Sequence, residues 1–444
     1  MRKAFQKAVM CMALAITLTA NAQAAQIIVD YTQAGKAINS RAFGVDVTGY
    51  GSGRDITNDS VMMQMMGDLR LGQMRMHLKY KTPGDPHSPI QCGGAGCAKN
   101  VPGDVWITKI KAMGAEPVVI LQMAPPTSVQ DAASMVRHFN LETRNPVKYW
   151  IIGNESPLPD AEQITLFNRT YDAMKAADPS IKIGGVGTAY FNEAFLQKLL
   201  AGSGNRIDFI DFHQYGEGGE ENLPESVLLK NTVGYEEHIS ALKADIRKIV
   251  PARADQIDVQ VGEWNMNWNG KGAVNAMFTQ FNTVWGASVI GHILRAGGIS
   301  LQYGDKNGPL GTLYESLHPA SGAAAIAAID QPMPVYYAHV MFTGGKWFRH
   351  FGNTLAQVSV DAPDLEVFAS DNPKNIVVIN KNPTAAEEGI FTLKGTENIR
   401  AQVWQKNGQI NPLSPPAYLG EGQVHHGRFA STLPPYSVTT FILN

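Results

Sequence analysis

The sequence predicts an α/β fold: a (β/α)8 TIM barrel with a C-terminal antiparallel β-sandwich that also takes an N-terminal strand. Three observations carry this reading. Eight short apolar runs alternate with helical stretches between residues 40 and 343, as in parallel βα units. Two of these runs end in a glutamate, Lys148-Tyr149-Trp150-Ile151-Ile152-Gly153-Asn154-Glu155 and, 108 positions later, Val259-Gln260-Val261-Gly262-Glu263. A buried parallel strand that delivers one carboxylate to its C-terminal rim has this form. Beyond residue 344 helical stretches give way to short alternating runs separated by turn residues, the spacing of a sandwich.

The elements follow in order. Residues 26–29 read as an isolated strand ahead of the barrel, and residues 25–39 are assigned to the sandwich. The barrel strands are Ala42–Val47, Gln73–Met76, Pro117–Leu121, Tyr149–Gly153, Lys182–Gly185, Phe209–Phe212, Val259–Gly262 and Ile299–Gln302. Helices are expected over 60–69, 103–113, 128–139, 160–177, 191–201, 234–249 and 275–296, with an eighth at Tyr336–Thr343. The sandwich strands are Ala356–Val360, Leu365–Ala369, Asn375–Ile379, Gly389–Leu393, Ala401–Trp404, Arg428–Leu433 and Val438–Leu443. Turns such as Asp371-Asn372-Pro373 and Lys406-Asn407-Gly408 separate them.

The first 24 residues read as a secretory signal. Arg2, Lys3 and Lys7 precede an apolar stretch of thirteen residues from Ala8 to Ala20, and Ala22-Gln23-Ala24 supplies small residues for cleavage. The stretch is too short to span a bilayer, so export without a membrane anchor is expected, to the periplasm or beyond. Removing it takes away three positive charges and no acid, so the net charge falls from −2 to −5. Such a balance disfavours nucleic acid and anionic membranes as partners. Cys92 and Cys97 remain, five positions apart in a Gly-rich loop. An oxidising compartment makes a disulfide their default pairing, and only His87 stands nearby as a further metal ligand. No metal or cofactor is expected.

Two carboxylates at a barrel rim suit glycoside hydrolysis, in which one donates a proton and the other attacks or activates water. Glu263 follows strand seven, and Arg75, at the end of strand two, is placed to keep it ionised. His213 and Tyr215 end strand six, and either one is placed to hydrogen-bond that carboxylate. Glu155 is the expected acid/base, with Asn154 beside it able to bond a sugar hydroxyl. Trp264, Trp268 and Tyr303 are candidate walls for a sugar face. No Gly-x-Ser-x-Gly, His-Glu-x-x-His or Gly-x-x-x-x-Gly-Lys motif offers a competing chemistry.

The motifs Trp150-x-x-Gly153-Asn154-Glu155 and Glu263-Trp264-Asn265 resemble those of clan A glycoside hydrolases. That resemblance implies Glu155 as acid/base, Glu263 as nucleophile, and supporting roles for Arg75, His213 and Tyr215. The strand-four segment is similar to that of the α-L-arabinofuranosidases of family fifty-one. The layout also suits family thirty-nine, with its xylosidases and exopolysaccharide endoglycosidases, and the glucuronidases of family seventy-nine. Phe43-Gly44-Val45-Asp46 lacks the Phe-x-Glu of family fifty-one, and Asn154-Glu155-Ser156-Pro157 departs from the common Asn-Glu-Pro. The expected function is a retaining glycoside hydrolase acting on a polysaccharide or oligosaccharide. The rival reading is a silent carbohydrate-binding relative that keeps only the cleft.

Overall fold

The computed structural model describes residues 24–47, 55–80, 90–92, 101–121, 128–219, 221–269, 276–304, 311–314 and 331–444. The signal segment and Cys97 lie outside the described residues, and so does the expected Cys92–Cys97 disulfide. No helix among the described residues is long and apolar enough to cross a membrane.

Eight parallel strands close into a barrel: Phe43–Asp46, Gln73–Tyr80, Glu116–Leu121, Tyr149–Asn154, Lys182–Thr188, Phe209–Tyr215, Asp258–Asn265 and Ile299–Gln302. Each pairs with its successor, and closure comes from strand eight on strand one, with Ser300 opposite Phe43. All eight expected strands are present. Ile90–Cys92 adds an antiparallel extension to strand two. Helices cover the outside, and their starts carry the expected signals. Ser128 and Asp131 form a reciprocal capping box at Val129–Arg137, while Asp59 and Asn192 cap two others. Helix Glu225–Asn231, which follows Pro224, was not expected.

The barrel interior is unusually polar. Arg41 donates to Gln73 Oε1, Gln73 Nε2 to Gln260 Oε1 at 3.2 Å, and Gln260 Nε2 to Asp211 Oδ1 at 2.8 Å. This places a connected polar chain under the rim that holds the glutamates. Val118, Ile120, Ile151 and Phe209 form a small apolar cluster of their own.

The remaining strands form two facing sheets. One has seven strands, in the order Lys36–Ala37, Thr354–Leu355, Leu365–Asp371, Asn375–Asn380, Ser437–Leu443, Ile399–Lys406 and Ala417–Val424. The other has four: Gln357–Val360, Ala25–Asp30, Glu387–Lys394 and Arg428–Leu433. The N-terminal strand joins as expected, but it runs parallel to Glu387–Lys394, so the sandwich is not purely antiparallel. The expected strand at 356–360 starts one residue later, at Gln357, because at Ala356 the chain leaves one sheet for the other. Alternation explains why the central strands read as unbroken apolar runs. Ile376 and Val378 enter the sandwich core, whereas Val377 and Ile379 pack on the barrel side. Helices Gln280–Arg295 and Pro334–Thr343 are therefore buried almost all round.

Candidate active site

Strand ends deliver the polar groups to one mouth. Asp46 ends strand one, Arg75 and His77 lie on strand two, and Asn154 ends strand four with Glu155 just beyond. Asp211, His213 and Tyr215 alternate along strand six, and Glu263 lies on strand seven. Side chains two apart on a strand share a face, so Asp211, His213 and Tyr215 all point inward.

Strand seven needs a local irregularity to contribute. Val261 pairs with Phe212 and Glu263 with His213, which leaves Gly262 as an extra residue in a β-bulge. The bulge turns Glu263 inward and sends Trp264 out toward the helices. A side chain at Gly262 would meet the Asp211 carboxyl, since its Cβ would fall 1.9 Å from Oδ1.

Arg75 is the hub. Its Nη1 donates to Glu263 Oε1 at 2.7 Å and also to Asp46 Oδ2, and its Nη2 donates to Asn154 Oδ1 at 2.7 Å. Tyr215 donates its hydroxyl to the other Glu263 oxygen at 2.6 Å. His213 Nδ1 lies 2.7 Å from Glu155 Oε1 and 3.5 Å from Glu263 Oε2. Arg75 and Tyr215 thus hold Glu263, while the close contact of His213 is with Glu155. One oxygen of Glu155, one of Glu263 and a ring nitrogen of His213 all lie within 4.8 Å of one another.

Electrostatics separate the two glutamates. Burial works to raise the Glu263 pKa, but His213, Arg75 and Tyr215 outweigh it and hold the carboxyl down at about 2. Burial opposes the charge on Arg75 as well, yet Glu263, Asp46 and Asp211 drive its pKa upward. Burial and the adjacent Arg75 push His77 down to about 4, which leaves it neutral at ordinary pH. Burial pulls His213 down, but Glu263, Asp211 and Glu155 together raise it to about 9. Glu155 differs in access: its side chain is 40% exposed, against 8% for Glu263.

Two donor triplets, Asp46–His77–Glu263 and Glu155–His213–Glu263, have ligand types that suit a metal. The Arg75 guanidinium is hydrogen-bonded to Asp46 and Glu263, so a fixed cation already serves those carboxyls and would repel a second.

Among the expected sugar walls, Trp264 is a correction. It is fully buried, donates Nε1 to Ser300 Oγ at 2.8 Å, and packs against Trp285 and His339. The Gly262 bulge is the reason. Trp268 is 55% exposed and covers Gly219, and Tyr303 meets Tyr215 edge-on with centroids 6.2 Å apart. Asp46, His77 and Asp211 were given no role from sequence. Their signal was present: Asp46 ends strand one, and His77 and Asp211 stand two residues from Arg75 and His213.

No protein-family model matches the chain, and no curated protein matches it. Its fold is nonetheless found among solved glycoside hydrolases. The α-L-arabinofuranosidase of Thermotoga maritima, solved with arabinose, matches with a TM-score of 0.74 and 17% identity, covering 95% of this chain and 100% of that one. The family 51 arabinofuranosidase of Xanthomonas axonopodis pv. citri gives 0.72 at 13% identity, over 95% and 100%. A family 44 xyloglucanase of Paenibacillus polymyxa gives 0.67 at 14% identity, over 95% and 99%. At such identities the likeness is one of fold, and it is the barrel-with-sandwich fold that the clan A resemblance implied.

Proposed function

We propose that the protein is an exported retaining glycoside hydrolase that cleaves a polysaccharide or oligosaccharide by double displacement. The observation that carries this is the approach of Glu155 and Glu263, whose nearest oxygens fall within 4.8 Å. Retaining enzymes separate their carboxyls by about 5 Å, whereas inverting enzymes leave roughly 6.5–9.5 Å for a water.

The chemistry follows from the surroundings. Glu263 is ionised, and one of its oxygens attacks the anomeric carbon while Glu155 gives a proton to the departing oxygen. A glycosyl ester on Glu263 results. Glu155, now a carboxylate open to solvent, takes a proton from water, which attacks the same carbon and releases Glu263. Arg75 and Tyr215 hold the nucleophile in place, and Arg75 holds Asn154 by its amide oxygen, which leaves the amide nitrogen to donate to a sugar hydroxyl. Neighbours of the same fold are named as arabinofuranosidases and as xyloglucanase, so arabinofuranosides and β-glucans are the first substrates to try.

The test is turnover of an aryl glycoside and polysaccharide panel, with Glu263→Gln as the blank. Hydrolysis of at least one member by wild type, with none by the variant, supports the reading. Oligosaccharide binding without turnover across the panel would favour the silent carbohydrate-binding relative instead.

A further inference from the structure

One carboxyl of the site, Asp211, is left over by the chemistry above. It is fully buried, and Gln260 fixes its orientation by donating to Oδ1 at 2.8 Å. Its other oxygen, Oδ2, is buried without a hydrogen-bond partner among the described residues, a costly state for a carboxyl. Oδ2 faces His213 Nε2 at 3.7 Å. Two glycines leave room for this arrangement. A Cβ at Gly262 would overlap the Asp211 carboxyl, and one at Gly187 would lie 3.0 Å from Oδ2 and 3.3 Å from His213 Nε2.

His213 Nε2 thus stands between two unlike neighbours. Arg75 Nη2, at 3.1 Å, can only donate and calls for a lone pair on Nε2. Asp211 Oδ2 can only accept when ionised and calls for a proton there. The choice is transmitted across the ring, because Nδ1 faces Glu155 Oε1 at 2.7 Å. A neutral ring with its proton on Nδ1 can only donate to Glu155 and so favours the carboxylate. A neutral ring with its proton on Nε2 offers Nδ1 as an acceptor and so supports the protonated acid.

We propose that Asp211 is a positioning residue that holds a proton on His213 Nε2 and so allows Nδ1 to share the acid proton of Glu155. In the charged pair, Glu155 is a carboxylate and the ring carries both protons. Moving the Nδ1 proton to Oε1 gives the carboxylic acid and a neutral ring, and nothing else changes. That acid proton then goes to the departing glycosidic oxygen. Asp211, His213 and Glu155 form a relay, whereas Arg75 biases the ring toward the form that suits Glu155 as a base. The other groups facing the ring are Glu263 from strand seven and His77 from strand two. The raised pKa of His213 accords with this, with Asp211 among its causes after Glu263.

The inference rests on Glu155 as the acid/base, and the test separates the two. Asp211→Asn keeps the shape and the oxygen that Gln260 holds, but presents an amide donor to Nε2. Nitrogen-15 NMR of the histidine rings reads the consequence without any substrate. In wild type at pH 7, His213 Nε2 should carry a proton. In the variant it should carry a lone pair, with the ring losing its second proton at least about one pH unit lower. In kinetics, the alkaline limb of kcat/KM should move down by a similar amount for substrates with poor leaving groups. It should not move for a dinitrophenyl glycoside, which needs no acid. A wild-type ring protonated on Nδ1 alone at pH 7 would overturn the proposal, even if the variant does not fold. An Asp211→Asn protein with an unchanged ring titration would also overturn it. If the NMR result stands while the leaving-group difference is absent, it is the role of Glu155 that fails.

Discussion

Arg75 Nη1 donates to Glu263 Oε1 at 2.7 Å, and the arginine side chain has no exposure to solvent. The same guanidinium also binds Asp46 and Asn154, so it joins strands one, two, four and seven at the mouth. A lysine would keep the charge and lose the planar fork.

Arg75→Lys should therefore lower kcat more than it raises KM. Each lost hydrogen bond to a charged group is worth about 1.5–3 kcal/mol, which corresponds to roughly ten- to a hundredfold in rate where the bond acts in the transition state. Steady-state kinetics on the best substrate of the panel would measure it. A variant with wild-type kcat would remove Arg75 from the mechanism.

Tyr215→Phe isolates one contribution to the acidity of Glu263. The Tyr215 pKa is driven well upward, by burial first and the adjacent Glu263 next, so the hydroxyl remains a donor throughout the working range. Its loss should let the Glu263 pKa rise from about 2. The sign is fixed: a higher nucleophile pKa moves the acidic limb of kcat/KM to higher pH. A limb that stays in place or moves lower would contradict the contact.

Glu155→Ala should behave differently in kind from substitutions at Glu263. With an activated leaving group, formation of the glycosyl-enzyme needs little proton donation, so it should survive while hydrolysis of the intermediate slows. Azide needs no general base and should restore turnover, giving a glycosyl azide of retained configuration. Rescue with retained product at Glu263→Ala, and none at Glu155→Ala, would reverse the two roles.

The barrel was legible because its strands are buried on both sides and read as apolar runs bounded by turns. The central sandwich strands were legible for the same reason, with one face in each core. Ala417–Val424 was not, because it is an edge strand with Gly420 and Gly422 inside it and Tyr418 and Leu419 exposed. The two glutamates stood out because each ends an apolar run. Trp264 was misread because a one-residue bulge at Gly262 reverses the alternation beyond it, and a bulge leaves no periodic trace. Asp46, His77 and Asp211 carry only a positional signal, a strand end or a two-residue offset from Arg75 and His213, and belong to no motif of their own.

His292 ties the barrel to the sandwich and gives the molecule a pH-dependent seam. On helix Gln280–Arg295, its Nδ1 lies 2.8 Å from Glu236 Oε2 and its Nε2 lies 3.1 Å from Glu366 Oε1, on a strand of the seven-stranded sheet. Lys381 Nζ and Ser288 Oγ also reach the Glu366 carboxyl, each at 2.5 Å. Burial would raise the Glu366 pKa, but His292 and Lys381 outweigh it and hold it at about 2. Burial would lower that of His292, but Glu236 and Glu366 raise it above the ordinary value. The depressed carboxyl contributes stability that is present above about pH 4.3 and is lost as pH falls through about 2. The raised imidazole contributes stability that is complete below about pH 6.5 and is lost as pH rises through its folded value. Between those limits both contributions are whole. Glu366→Gln should then cost about 3–5 kcal/mol in urea unfolding at pH 5.5, as expected when one partner of a buried pair is removed. At pH 8.5 the cost should be smaller, because above about pH 6.5 the raised His292 pKa contributes less to the stability of wild type. Equal losses at the two pH values would mean that Glu366 does not hold a proton on His292.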